Sequence, residues 1–227
     1  MIRSFKPIPF AAALVASLFV SCAGNKSVAL SAQDRAAMQG KTLIVSKREM
    51  PGFAVITPGK AVTAGLTGPI GGAAVGLAAA KEGQSFLQRH RVSAPEAAVA
   101  PVLAKQLASR SGVRVVPANG ILTGADPKSI SNTYPQADYV LDVFTTAWMG
   151  SYYPMTLNKY FIMHGTKMRL VERATGRVVA EGSNFYQGQD KEHAPDYDGM
   201  FANDAAFLKA ETKKSTDGAT SKFSELL

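Results

Sequence analysis

The residue types that could support catalysis or metal binding are spread thinly along this sequence. His90, His164 and His193 lie far apart and lack the short spacing of metal-ligating histidines. The stretch 190–198 is acidic, but it lacks the glycine and the distal glutamate of a calcium-binding loop. Neither a Gly-x-Ser-x-Gly nor a Ser-x-x-Lys motif occurs. We therefore expect no enzyme activity, no catalytic residue, no metal and no cofactor, and we interpret His164 as a buried structural histidine.

Cys22 is the single cysteine of the chain, and the residues before it form a short leader. Arg3 and Lys6 precede an apolar run over residues 10–20, which is too short to span a bilayer comfortably. Residues 1–21 are therefore predicted to be a signal peptide. The order Leu18-Phe19-Val20-Ser21-Cys22 resembles a bacterial lipobox.

That resemblance implies lipidation at Cys22, with a diacylglycerol on the sulfur and a third acyl chain on the new amino terminus. Neither Ala23 nor Gly24 is the aspartate that marks retention in the inner membrane, so the resemblance favours the outer membrane, with the domain facing the periplasm. Ser21-Cys22-Ala23 also fits ordinary signal cleavage after Ala23. Cleavage there would leave a soluble periplasmic protein, and this alternative stays open.

Composition and charge restrict the class of partner. With 46% hydrophobic and 19% charged residues, the chain is typical of a folded globular protein. The precursor carries a net charge of +8, of which the leader holds two charges, and the pI is about 9.6. In a cytosolic protein this charge would suggest nucleic acid, which the export signal excludes. Lipid phosphates, lipopolysaccharide and acidic envelope proteins remain as partners.

The domain prediction is a tether over residues 22–40 followed by one α/β domain over residues 41–227. An insert over residues 59–82 is rich in glycine and alanine, and small residues recur in it at every fourth position. We expect the helix-contact stripe Gly68, Gly72 and Gly76 to let another helix approach closely. That helix belongs either to the same domain or to a second copy at the membrane. Pro69 favours a helix that begins near it.

The middle of the chain predicts a parallel crossover unit. Residues 41–46 form an apolar run typical of a first strand. Ser93-Ala94-Pro95-Glu96 matches a capping box, and Gly112 is placed to end the helix. The apolar stripe of this helix is expected to consist of Val99, Val102, Leu103 and Leu107. Residues 113–116 then form a second strand, parallel to the first.

The C-terminal half predicts strands and a last helix. Residues 121–136 have the composition of a loop that holds one helical turn, and strands are expected at 139–148, 160–171 and 177–182. Ala174-Thr175-Gly176 forms the turn of a β-hairpin between the last two strands. Phe201, Ala205 and Leu208 mark a helix that continues toward Phe223. The predicted fold is α/β (α+β), with one mixed sheet, a parallel βαβ unit, a β-hairpin and flanking helices.

Three segments carry a resemblance to a known family, namely residues 107–117, 137–141 and 168–179. They are similar to an envelope family that contains the curli-secretion lipoprotein, the lipoprotein activators of penicillin-binding proteins and the amino-terminal domain of TolB. The resemblance covers about residues 93–183. It implies a domain of this architecture that binds another envelope protein or assembles into an oligomer.

Aromatic residues concentrate near the expected turn after residue 148. Trp148, Tyr152 and Tyr153 flank Gly150, and we expect them to project and to anchor a protein partner. The predicted function is therefore that of a lipid-anchored binding or scaffolding module for another envelope protein. The alternative is a membrane-associated homo-oligomer, of the secretion or pore type, built through the glycine stripe.

Overall fold

The computed structural model describes residues 27–124 and 126–227; the side chains of residues 64–77, 127 and 128 are also outside the description. The predicted signal peptide and Cys22 lie outside these ranges. Lipidation and the signal-peptide boundary therefore stay predictions.

One mixed sheet organises the described part of the chain. The strands are β1 Thr42–Val45, β2 Ala54–Val55, β3 Arg114–Val116, β4 Tyr139–Tyr152, β5 Tyr160–Glu172 and β6 Arg177–Gln187. Their order in the sheet is β3-β1-β4-β5-β6, and β2 pairs with the far end of β4. β1 is parallel to both β3 and β4, whereas β4, β5 and β6 are antiparallel, which confirms the predicted fold class.

The helices are α1 Ala32–Ala37, α2 Pro58–Arg89, α3 Glu96–Ser111, α4 Pro127–Thr133 and α5 Ala202–Ser224. The first of them corrects the predicted tether. Leu30 and Met38, on either side of α1, are buried in the core. Residues 28–38 therefore belong to the folded domain, and the tether over residues 22–40 is predicted too long.

α3 ends where the sequence predicts but begins two residues later than the predicted cap at Ser93 implies. Pro95 already has helical dihedral angles and makes no side-chain cap, and Glu96 accepts a hydrogen bond from the Thr145 hydroxyl at 2.8 Å. The capping-box prediction is therefore wrong, because the Glu96 carboxylate faces β4. At the other end, Gly112 has φ +69°, the left-handed conformation that glycine adopts without strain, as predicted.

α2 begins earlier than the sequence suggests. The Thr57 hydroxyl accepts a hydrogen bond from the Lys60 amide, and Pro58 occupies the first turn, where its missing N–H costs nothing. The helix then continues through Pro69 to Arg89, so the prediction of a start near Pro69 is wrong.

The C-terminal part of α2 lies against the domain itself. A Cβ atom on Gly83 would lie 1.9 Å from the Phe53 carbonyl oxygen, so only glycine allows this approach. The surroundings of Gly68, Gly72 and Gly76 lie outside the described side chains, and their predicted contact stays open. Among the helices in the described ranges, none is both long and apolar enough to cross a membrane.

The core lies on both faces of the sheet. On one face, α1, α3 and α5 cover the first half of β4 and its neighbours, while α2 and the start of α5 cover the second half. On the other face, α4 and the loop before it cover Ile44, Val140 and Val171. The last helix runs to Ser224 across Gly218, as predicted, and Phe223 on it is fully buried.

A buried charge cluster joins three elements on the second face. Asp142 is fully buried and accepts hydrogen bonds from Arg48 at 2.7 and 2.9 Å and from Arg169 at 2.7 Å. Burial alone would raise the pKa of Asp142, but the two guanidinium groups lower it below its ordinary value. Both groups also lie over the Phe144 ring, at 4.7 and 5.0 Å. The segment after β1 is thereby fixed to β4 and β5.

Two neighbouring residues of α3 test how this helix packs. Leu103 is fully buried, whereas Val102, which the sequence also placed on the apolar stripe, is 50% exposed. We expect Leu103→Ala to lower the free energy of unfolding by about 2–5 kcal/mol, because it leaves a cavity. Val102→Ala is the matched control and should change it by less than about 0.5 kcal/mol. Urea denaturation checks both variants, and equal losses would contradict the packing.

Candidate functional site

The three aromatic residues expected to anchor a partner, Trp148, Tyr152 and Tyr153, lie in different environments at the end of β4. β4 continues to Tyr152, four residues beyond the predicted end, and Trp148 is only 3% exposed. Its ring packs edge to face on Phe53, with ring centroids 5.2 Å apart. The expectation that Trp148 projects is wrong, because Phe53, α2 and the start of α5 cover this part of the sheet.

Tyr152 and Tyr153 lie where β4 leaves the sheet, and both are half-buried. Tyr152 packs edge to face on Tyr160. The Tyr153 hydroxyl donates to the Gly188 carbonyl oxygen at 3.0 Å, and its ring lies 4.6 Å from that of Phe161. Tyr153 thus joins the end of β4 to the end of β6.

These contacts form one wall of a pocket with a volume of about 220 Å³. The pocket lies between the β4–β5 hairpin, the segment that follows β6, and α5. We call it the aromatic pocket. Its aromatic walls are Tyr153, Tyr160, Phe161 and Phe207, and its main charged groups are Glu211 and Lys214.

The carboxylate of Glu211 is the unusual group in the aromatic pocket. Glu211 is 6% exposed, and a buried carboxylate is costly unless donors compensate for the lost water. The Tyr186 hydroxyl donates to Oε2 at 2.7 Å, and the Lys214 ammonium donates to Oε1 at 2.6 Å. Burial, followed by the neighbouring carboxylate, raises the pKa of Tyr186 well above its ordinary value, so the hydroxyl remains a donor.

Lys214 differs from Tyr186 because it reaches Glu211 from solvent. Its side chain is 63% exposed, against 8% for that of Glu211. The hydrogen bond to Glu211 raises the pKa of Lys214, which therefore stays cationic. The buried carboxylate thus has two donors. The Tyr186 hydroxyl is neutral and fixed, whereas the exposed Lys214 ammonium can rotate away into solvent.

Gly188 makes the close approach of Glu211 possible. Its amide donates to the Ile162 carbonyl oxygen at 3.0 Å, which fixes the chain as it leaves the sheet. A Cβ atom at this position would lie 2.7 Å from Oε2 of Glu211 and 3.4 Å from Cβ of Phe161. Any larger residue would therefore displace the carboxylate.

The acidic stretch after β6 forms turns at the mouth of the pocket. The backbone amide of His193 donates to Asp190 at 3.0 Å, and this bond holds the pKa of the Asp190 carboxyl below its ordinary value. Asp196 likewise accepts from the Gly199 amide at 2.7 Å. Within the described ranges, no group of histidine, cysteine, aspartate and glutamate residues could hold a metal ion.

The three histidines lie in three separate environments. His164 is fully buried, lies 2.7 Å from the Ser215 hydroxyl and 3.2 Å from that of Thr145, and burial lowers its pKa to about 4. This confirms the interpretation of His164 as a buried, hydrogen-bonded histidine. His90 lies 3.2 Å from Asp204, and His193 is exposed beside Asp190.

Tyr186, Gly188 and Glu211 are not among the site residues predicted from the sequence. A signal for Glu211 does exist, because it falls on the same helical face as Leu208 and Ser215, which are buried. A carboxylate on the buried stripe of a predicted helix needs partners, and that requirement indicates a functional or structural network. No comparable sequence signal connects Gly188 with Glu211, since only the folded chain brings them together.

Comparison with known proteins gives a loose likeness of fold. No known family matches the sequence, and no curated protein matches it. Among solved structures, the PelC dodecamer from Paraburkholderia phytofirmans is 14% identical with a TM-score of 0.38, over 88% of this chain and 96% of that one.

Two further solved structures are similarly distant. The LpoB C-terminal domain from Salmonella enterica is 14% identical, with a TM-score of 0.31, over 66% of this chain and 85% of that one. A lipoprotein from Neisseria meningitidis is 12% identical, with a TM-score of 0.33, over 80% and 99%. Identities and scores this low carry no conclusion about function.

Two glycines provide a matched test of the aromatic pocket. We expect Gly188→Ala to lower the free energy of unfolding by about 1–3 kcal/mol, because the added carbon collides with the Glu211 carboxylate. Gly218→Ala should raise it by about 0.5–1 kcal/mol, because Gly218 lies in α5 with no atom within 4 Å of its added carbon. Thermal and urea unfolding check both changes. A neutral Gly188→Ala would contradict the described approach of Glu211.

Proposed function

We propose that this protein is a lipid-anchored cell-envelope protein of the outer membrane that binds another envelope protein through the aromatic pocket. The observation that carries the proposal is the buried Glu211 carboxylate, which lies among aromatic side chains with an exposed lysine as its counterion. The anchor is the predicted lipid on Cys22.

The geometry favours binding over catalysis. A nucleophile needs a base within hydrogen-bond reach, and the base in turn needs an orienting group. In the aromatic pocket, the Tyr153 hydroxyl is engaged by the Gly188 carbonyl oxygen and Glu211 is engaged by Tyr186 and Lys214. These hydrogen bonds hold the pocket in shape, and we assign no reaction to it.

The chemistry of the aromatic pocket selects a cationic side chain. Aromatic faces attract a cation electrostatically, and a buried carboxylate forms a strong charge-assisted hydrogen bond with it. A volume of about 220 Å³ is small compared with the roughly 300–1,000 Å³ of typical small-molecule sites, so one side chain is a suitable occupant. Arginine fits best, because its planar group stacks on rings while it pairs with a carboxylate.

Binding would proceed by exchange of cations. The partner's guanidinium group takes the place of the Lys214 ammonium on Oε1 of Glu211, and Lys214 turns into solvent. Lys214 is mostly exposed in the free protein, so its release costs little. The Tyr186 hydroxyl keeps its bond to Oε2 throughout.

The homo-oligomer formed through Gly68, Gly72 and Gly76 stays a prediction, because the contacts of these glycines lie outside the described side chains. It does not conflict with the aromatic pocket. The pocket residues belong to the β4–β5 turn, β5, the segment after β6 and α5, whereas the stripe belongs to α2.

A small pair of probes tests the proposed chemistry. N-acetylarginine amide should shift the NMR resonances of Tyr153 and Phe161 in a saturable manner, while N-acetylcitrulline amide, its neutral counterpart, should leave them unchanged. Glu211→Gln should abolish the arginine response. Glu181→Gln is the matched control, since Glu181 lies on β6 and pairs with Lys167, and it should respond like the unmodified protein. Equal responses to arginine and citrulline would contradict the proposal.

A further inference from the structure

The start of the domain is attached to one edge of the sheet. The Val28 amide donates to the Glu181 carbonyl oxygen and the Glu181 amide donates to that of Val28, both at 2.8 Å. Two residues later, the Leu30 amide donates to the Leu226 carbonyl oxygen at 2.7 Å, and Leu30 is 5% exposed. The chain is therefore fixed on the outer edge of β6 from Val28 onward.

The distance from this point to the predicted anchor is short. Cys22 precedes Val28 by six residues, and a fully extended chain of that length spans at most about 20 Å. A domain of about 200 residues has a radius of gyration of about 16 Å and a diameter of roughly 40 Å. The connection is thus about half as long as the domain is wide, and the edge that holds Val28 must stay near the bilayer.

β6 presents an exposed aromatic residue along this edge. Phe185 is 60% exposed, and Val28 is 39% exposed. Successive residues of a strand point to opposite faces, and Tyr186 reaches Glu211 on α5. The Phe185 side chain therefore lies on the face away from α5, together with the partly exposed Lys167, which contacts Glu181.

We infer that the outer edge of β6, with Phe185 at its centre, rests on the phospholipid surface that holds the anchor. This inference rests on the lipidation of Cys22 in the proposed function. An exposed phenylalanine ring is stabilised when it enters the boundary between headgroups and acyl chains. The anchor supplies most of the binding free energy, and the Phe185 contact sets the orientation of the domain.

A lipid surface explains this edge better than a second copy of the chain. One exposed phenylalanine buries about 200 Å² at most, whereas a stable protein interface needs about 800 Å² from each partner. The short connection to the anchor also keeps this edge close to the bilayer, whether or not another protein is present. An orienting contact beside a permanent anchor requires little affinity of its own.

The orientation can be measured with one thiol at a time. The lipid occupies Cys22, which is the only cysteine, so Gln187→Cys gives a single free thiol on the exposed end of β6. Val115→Cys is the control, because Val115 is 47% exposed on β3, at the opposite edge of the sheet. Four strand spacings of about 4.8 Å separate the two edges. Each thiol is labelled with bimane in full-length lipidated protein on phosphatidylcholine and phosphatidylglycerol vesicles that contain nitroxide-labelled lipid.

We expect lipid quenching at position 187 to exceed that at position 115 at least threefold. Phe185→Asp, added to Gln187→Cys, should reduce the quenching to the level of the control. Equal quenching at the two edges, with the protein still on the vesicles, would overturn the inference and leave the anchor intact. If shielding of the label at position 187 from solvent increased with protein concentration and not with lipid, a second copy of the chain would cover this edge. That result would also overturn the inference.

The Cys22→Ala variant separates failure of the anchor from failure of the orientation. It should leave the vesicles, with its introduced thiol unquenched. If the protein with Cys22 also fails to bind vesicles, the proposed anchor is wrong and the inference falls with it.

Discussion

The antiparallel pairing of β4 with β5 is the constraint on which the rest of the molecule depends. Register pairs run from Tyr139 with Glu172 to Tyr152 with Tyr160. β1 and β2 pair in succession with the other side of β4. The register shifts between Thr145 and Ala147. Before this irregularity the odd-numbered residues of β4 face the helices, and after it the even-numbered residues do. That change keeps Leu141 and Trp148 on the same covered face, so one strand serves two core clusters.

The aromatic pocket follows from the end of this pairing. When β4 leaves the sheet, Tyr153 turns toward the Gly188 carbonyl oxygen, and α5 closes the other side with Glu211. The carboxylate is tolerated there because a tyrosine and a lysine supply its hydrogen bonds. A pocket with a single buried carboxylate is thus built from three segments that are far apart in the sequence.

The elements that the sequence predicted are those with a strong periodic pattern. The hairpin of β5 and β6, the parallel pair of β1 and β3, and the long last helix lie close to their predicted positions. β2 has only two residues and no pattern of its own, so it depends on pairing with β4. α2 is longer than predicted, because the cap at Thr57 starts the helix well before Pro69.

The site was less predictable than the fold for a physical reason. A sequence shows that Trp148 and Tyr153 are aromatic, but not that Phe53 and α5 bury the first while the second borders a pocket. Burial here depends on which distant segments cover each end of β4. The same is true of Gly188, whose missing side chain matters only because Glu211 lies against it.

The central claim is that a partner in the envelope engages the aromatic pocket, and cross-linking in living cells tests it most directly. A photo-reactive amino acid in place of His193, which is exposed at the mouth of the pocket, should give one discrete cross-linked protein. The same amino acid in place of Val115 should not give it, and Glu211→Gln should remove it. An adduct that is equally strong from Val115, or that survives Glu211→Gln, would contradict the claim.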